Sequence, residues 1–115
     1  GLRRGERVFD AGCGVGGSAI FLAQKYKSPV IGVTLSRRQR EKAAANAAAA
    51  GVDGVEFLCG DYGKTELPAE SFDVVWALES TCYATDLGAF AREAHRLLKP
   101  GGRLLIADAY CTRAV

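Results

Sequence analysis

The chain has 115 residues, 49% of them apolar and 24% charged, which allows one domain with a single modest core and argues against two. Its net charge of +2 comes from intermixed signs, with no basic run to track a phosphate backbone, so charge gives no reason to expect nucleic acid as a partner. No stretch approaches the roughly 20 apolar residues of a bilayer span, and the opening GLRRGERVFD lacks the apolar core of a signal peptide; the expectation is a cytoplasmic protein without membrane insertion.

The first apolar run, RVFDAG, ends in glycines and leads into GSAIFLAQKY, where Ala19, Ile20, Phe21, Leu22 and Ala23 can form a helix face. PVIGVTLS is a second strand-like run, and Ser36 then opens an alanine-rich helix expected to end at Gly51. VEFLCGD and FDVVWALES read as two more strands, joined by a polar connection holding Gly60, Gly63 and Pro68. From Asp86 onward, Leu87, Phe90, Ala91, Ala94, Leu97 and Leu98 recur at helical spacing, and KPGG is expected to stop that helix before the strand RLLIADAY.

Strands alternating with helices predict an α/β fold: a doubly wound, Rossmann-like, mainly parallel sheet in three αβα layers, with the first strand central. Residues 1–115 read as one domain, and the sheet is expected to be truncated after its fifth strand. Edges exposed by such truncation would favour pairing between chains into a homo-oligomer.

The four cysteines, Cys13, Cys59, Cys82 and Cys111, form no CxxC pair, and the lone His95 cannot complete a structural zinc site with them. They are expected to be reduced and half-buried. His95 itself reads as a surface helix residue.

The segment carrying most chemistry is VFDAGCGVGG, an apolar strand followed by Asp10 and then Gly12, Gly14, Gly16 and Gly17 at the entry to a helix. Glycines there permit positive φ and let backbone N–H groups approach a ligand closely. Gly12, Gly14 and Gly17 also satisfy GxGxxG, the dinucleotide fingerprint, which alone is weak. A dinucleotide site wants an acid at the end of the second strand, where this chain has Thr34, Leu35 and Ser36, although Arg37 and Arg38 could meet a 2′-phosphate. An NADP-binding oxidoreductase domain is therefore a rival. Against it stands Asp10, which would repel a pyrophosphate and welcome a ligand carrying a sulfonium and an ammonium group.

VFDAGCGVGGSAIFLA resembles the first motif of class I S-adenosylmethionine-dependent methyltransferases. GVTLSRRQ resembles their second strand, and FDVVWALEST with LLKPGGRLLIAD their fourth and fifth. The likeness is strongest to small-molecule C-methyltransferases of the sterol, tocopherol and geranyl diphosphate kind, through ESTCYAT and GVTLSRRQ. It implies that S-adenosyl-L-methionine is the cofactor, that S-adenosyl-L-homocysteine is the product, and that a small molecule is the acceptor, expected to be methylated on carbon of a prenyl, sterol or other lipid-like alkene. A non-catalytic domain binding the same cofactor is a further alternative.

By position, the resemblance places Asp10, Gly12 and Gly14 at the methionine end of the cofactor, with Gly16 and Gly17 closing the turn. Thr34 and Gln39 fall at the ribose, and Asp61 at the adenine with Tyr62 beside it, Asp61 accepting from the adenine amino group; Cys13, Leu35 and Leu78 are further expected cofactor contacts. Ser36-x-x-Gln39 is equally a helix capping box; an Asp before a turn glycine can also be turn chemistry, although the order strand, Gly, Asp favours the adenine role for Asp61. Glu79, at the carboxyl end of the fourth strand, is the expected catalytic residue: a fixed carboxylate can stabilise the carbocation left by alkene methylation and remove its proton. Tyr83 could present a ring face to that cation. The blander role for Glu79 is a solvated loop acid. Asp73 and Trp76 read as structural, and Arg37, Arg38 and Arg40 read first as solvated and second as facing an anionic substrate.

Overall fold

Five strands and three helices alternate along the computed structural model, which describes residues 3–13, 16–78 and 87–107. They are β1 (Val8–Ala11), α1 (Gly17–Tyr26), β2 (Val30–Thr34), α2 (Arg37–Ala49), β3 (Val55–Cys59), β4 (Phe72–Leu78), α3 (Leu87–Leu97) and β5 (Leu98–Ala107). The strands form one parallel sheet in the order β3-β2-β1-β4-β5, so β1 is central, and the chain reverses its direction of winding there. All four β1 residues are buried, as the apolar run predicts for a strand covered on both faces. Parallel strands place their carboxyl ends along one edge, where ligands bind in open α/β sheets.

The two faces pack differently. On one, α1 and α2 bury Ala19, Leu22, Ala23, Ala43 and Ala47 against Val8, Val30, Phe57 and Val74. On the other, α3 buries Phe90, Ala94 and Leu97 against Phe9, Phe72, Val75 and Tyr62. Helix α2 buries only Ala43 and Ala47 and relies on its ends. Ser36 accepts a hydrogen bond from the Gln39 N–H at 3.2 Å. Gly51, at φ 67°, closes the other end while Gly51 N and Val52 N donate to Ala48 O and Ala47 O, the pairing of a Schellman cap.

Three details depart from the sequence expectation. Phe21 is 52% exposed and lies 5.5 Å beneath the Lys25 ammonium, because the buried stripe of α1 is Ala19, Leu22 and Ala23, and Phe21 falls outside it. Ala91 is exposed, and its expected place on the buried side of α3 is taken by Glu93. KPGG lies inside β5: Phe72 pairs with Leu98 and Val74 with Arg103, so the intervening residues of β5 bulge out between two ladder positions. The register shifts between Phe72 and Val74, as a bulge locally disrupts the ladder, and Gly101 supplies a positive φ of 83° within it.

The amino ends of the strands are tied by charge. Asp73 accepts from Arg7 N at 2.8 Å and pairs with Lys99 at 3.4 Å, while Glu6 pairs with Arg103 at 2.6 Å. The Arg7 N–H, ahead of the Lys99 ammonium, holds the Asp73 carboxyl below its usual range. Asp73 is thus structural, at the end of the sheet remote from the glycine turn.

Gly16 is fixed by sterics: its φ is 89°, and a Cβ there would lie 2.9 Å from Phe57 Cζ and 3.1 Å from Ala43 Cβ. Gly16→Ala combines overpacking with left-handed backbone strain and is expected to cost about 2–4 kcal/mol. The urea midpoint of unfolding, followed by tryptophan emission, measures it.

Candidate cofactor site

The turn from β1 into α1 forms the centre of the site. Asp10 is 2% exposed, and its Oδ2 has no hydrogen-bond partner. Burial alone pushes its carboxyl up to about 7, since desolvation penalises the charged form. Gly12 turns the chain at φ 72°, Cys13 N donates to Val33 O at 2.9 Å, and Gly16 N donates to Cys13 O at 2.9 Å. Gly32 gives this turn room: a Cβ on it would stand 2.8 Å from Cys13 Cβ. Helix α1 then starts with neither a side-chain cap nor an acid in its first turn. Its first N–H groups and the positive end of its dipole are left for an anionic group of a ligand.

Next along the edge, Thr34 is 3% exposed at the end of β2. Its hydroxyl donates to Gln39 Oε1 at 2.8 Å and accepts from Ser36 N at 3.3 Å. Only half of the expected capping box therefore forms. Ser36 caps the helix, but the Gln39 carbonyl goes to Thr34 instead of returning to Ser36 N, and the exposed Gln39 amide nitrogen is left to donate outward. Leu35, 65% exposed, presents an apolar surface between them.

On the connection after β3, Asp61 is exposed, its Oδ1 accepts from Gly63 N at 2.8 Å, and its carbonyl accepts from Lys64 N at 3.1 Å. This is the turn chemistry weighed above, and it occupies one carboxylate oxygen. Tyr62 is 5% exposed, packs with the α3-face core and meets Phe90 edge-on at 5.5 Å. Leu78 ends β4 at this edge. Gly14, Glu79 and Tyr83 lie outside the described residues.

Beside this edge opens a cleft of about 610 Å³, lined in part by Val33, Arg37, Arg40, Cys59, Asp61 and Lys64. Arg37 and Arg40 thus border the cleft while remaining exposed, and Arg40 Nε donates to Phe57 O at 3.1 Å. Cys59 is exposed, correcting the half-buried expectation, because the edge strand β3 ends there without cover. Cys13 is 7% exposed, and burial followed by the charge of Asp10 pushes its thiol up to about 12. Iodoacetamide is accordingly expected to modify Cys59 and leave Cys13 unreacted in the native protein, as read by peptide mass mapping.

Sequence reasoning missed a cluster that shapes the connection from β3 to β4. Glu93, 8% exposed, accepts from Thr65 N at 2.8 Å and from the Thr65 hydroxyl, and pairs with Arg96 at 2.7 Å. An acid within the apolar stripe of α3 was the available signal. Among the described residues no group of side chains could hold a metal ion, and no helix is long and apolar enough to cross a membrane.

Comparison with known proteins places this geometry in context. The family described as a methyltransferase domain matches residues 9–106. The 27-O-demethylrifamycin SV methyltransferase of Amycolatopsis mediterranei is 44% identical over 108 residues, 93% of this chain and 40% of that protein. The sterol 24-C-methyltransferase erg6 of Aspergillus fumigatus is 37% identical over 116 residues, covering 96% of this chain and 31% of that one. The geranyl diphosphate C-methyltransferase of Streptomyces coelicolor, solved with Mg2+, geranyl-S-thiolodiphosphate and S-adenosyl-L-homocysteine, superposes with a TM-score of 0.85 at 33% identity, over 90% of this chain and 38% of that one. The chain spans less than half the length of each of these proteins.

Proposed function

The chain belongs to the class I S-adenosylmethionine-dependent methyltransferase family, and from that premise we propose that it binds S-adenosylmethionine at the carboxyl edge of the sheet and serves methyl transfer to a small-molecule acceptor. The observation carrying this reading is Asp10, a buried carboxylate with an unsatisfied oxygen at the turn into an uncapped helix. A buried anion needs a cationic partner, and an open helix start needs an anionic one. The amino-acid end of the cofactor brings an ammonium and a carboxylate to the same spot, whereas a pyrophosphate satisfies only the helix.

When bound, the cofactor supplies an electrophilic methyl on a sulfonium. The chain's own work is to hold and shield. Asp10 sets charge at the methionine end, Thr34 fixes Gln39 so that its amide can donate to ribose hydroxyls, and Asp61 offers its second oxygen to the adenine amino group. Methyl transfer then needs an acceptor aligned behind the methyl, and positioning lowers most of the barrier. Glu79, directly following β4, is assigned the catalytic carboxylate and Tyr83 the supporting ring.

For the acceptor we favour carbon of a prenyl, sterol or similar lipid-like alkene. The named chemistry of the Aspergillus and Streptomyces relatives supports this choice, as does the acid at position 79 that such a reaction requires. Calorimetric titration with S-adenosylhomocysteine and, separately, NADPH tests the cofactor reading. Binding of the former is expected; binding of NADPH alone overturns it and makes Arg37 and Arg38 the phosphate contacts. Glu79→Gln tests the catalytic assignment, with an expected loss of about 100-fold in turnover at unchanged S-adenosylhomocysteine affinity.

A further inference from the structure

Three buried polar atoms on the α1 face of the sheet lack partners: Arg103 Nε, on a guanidinium whose Nη2 is bonded to Glu6 toward the amino ends of the strands, and, further along, Asp10 Oδ2, an acceptor, and Trp76 Nε1, a donor. The residues of the last two are register partners on adjacent parallel strands, Asp10 of β1 opposite Trp76 of β4. Paired residues of neighbouring strands send their side chains to the same face. Trp76 is only partly buried while its nitrogen is fully so; the polar edge of the indole is the inward one.

The surroundings leave that nitrogen little choice. On the other side, Trp76 is level with Leu105, which has no polar side-chain atom. Val8 and Val74, the diagonal and along-strand neighbours, have none either, and Arg103 beyond them only donates. Ser28, another buried group without a partner, precedes β2 at the opposite end of the sheet. Among the described residues, the Asp10 carboxylate is the one strong side-chain acceptor on this part of the face.

We propose that Trp76 is a positioning residue for the cofactor site: its indole N–H, through one bridging water, holds the Asp10 carboxylate in place. The connection to the cofactor rests on the function proposed above; the pairing itself does not. Leaving both groups unsatisfied costs about 1–3 kcal/mol each, and joining them removes both penalties. A donor to the carboxylate also favours its ionised form, which is the form a cationic ligand requires.

Little else on this face titrates near neutrality. Gly32 on β2 has no side chain, α1 presents Ala19 and Leu22, and the Cys13 thiol is pushed up to about 12. Arg103 is paired with Glu6 toward the amino ends of the strands. Asp10 itself is raised to about 7.

Trp76 is the single tryptophan of the chain, so its emission and its indole N–H proton resonance report on this pair without any ligand. Both are expected to titrate with a midpoint near neutrality in the free protein and to become flat in Asp10→Asn. Trp76→Phe is expected to move the pH midpoint of S-adenosylhomocysteine binding up by about one unit, equivalent to about tenfold weaker binding below it. Emission and resonance that ignore pH between about 5 and 9, or that titrate equally in Asp10→Asn, overturn the proposal. The first measurement uses the parent sequence, so a Trp76→Phe variant that fails to fold does not protect it. Failure of S-adenosylhomocysteine to bind while the indole still titrates would instead sink the cofactor reading and leave the pair standing.

Discussion

Asp10→Asn is expected to weaken S-adenosylmethionine binding by about 10- to 100-fold while making the protein more stable at pH 8. The two effects have one cause. An ionised carboxylate in an apolar site is expensive without a partner and valuable with one, and losing a charged partner in a buried pair costs about 2–3 kcal/mol. The sign of the pH dependence follows. Burial raises Asp10 from 3.8 to about 7, so between these values the folded protein holds a proton that the unfolded chain has released. Stability therefore falls as pH rises through that window and levels off above it, by several kcal/mol in all. Urea unfolding at pH 5 and pH 8 should show this slope in the parent and not in the variant. Equal slopes in both would mean that another group carries the titration.

Glu93→Ala should cost about 2–4 kcal/mol of stability, because it removes the acceptor of the part-buried Thr65 N–H and hydroxyl and the partner of Arg96 at once. Here the pH sign is opposite. Hydrogen bonding by Arg96, then by Thr65, lowers Glu93 from 4.5 to about 2 despite its burial. Its contribution is complete above the unfolded value and is lost as pH falls through the folded one, so the parent should lose stability below about pH 4.5 and the variant should not share that acid limb. Because Thr65 anchors the connection bearing Asp61, the variant should also bind S-adenosylhomocysteine several-fold more weakly. Thermal unfolding across pH 2.5–6 and calorimetry together check both effects; an unchanged midpoint at pH 6 would contradict the network's role.

Strand polarity could be read from alternation, since β-branched runs separated by helical spacing leave few alternatives to a parallel sheet, and the expected central place of β1 is what the sheet shows. Patterns that depend on a partner were harder. Ala91 and Glu93 exchange places because the Arg96 and Thr65 groups that make burial of Glu93 affordable cannot be seen along the chain. KPGG was read as a helix stop, which it is, but its incorporation into β5 depends on the residues of β4 that it pairs with. In the site, Asp10 and the glycines announced themselves by type and spacing. Gln39 did not, since its amide can serve a cap or a ligand equally, and only the hydroxyl of Thr34 decides where its carbonyl goes.

The central place of β1 has a consequence for the order in which the molecule assembles. Residues 8–59 form β1, α1, β2, α2 and β3 in immediate succession, each strand adding to the last, so this half can grow as the chain leaves the ribosome. The other edge of β1 must wait for β4, with Arg7 meeting Asp73 across 66 residues of chain. Until then the strand carrying Asp10 presents a row of unpaired backbone groups, the feature by which nascent sheets capture one another. The ionisable group that destabilises the finished fold also sits in that strand, and at neutral pH its charge discourages two such edges from meeting.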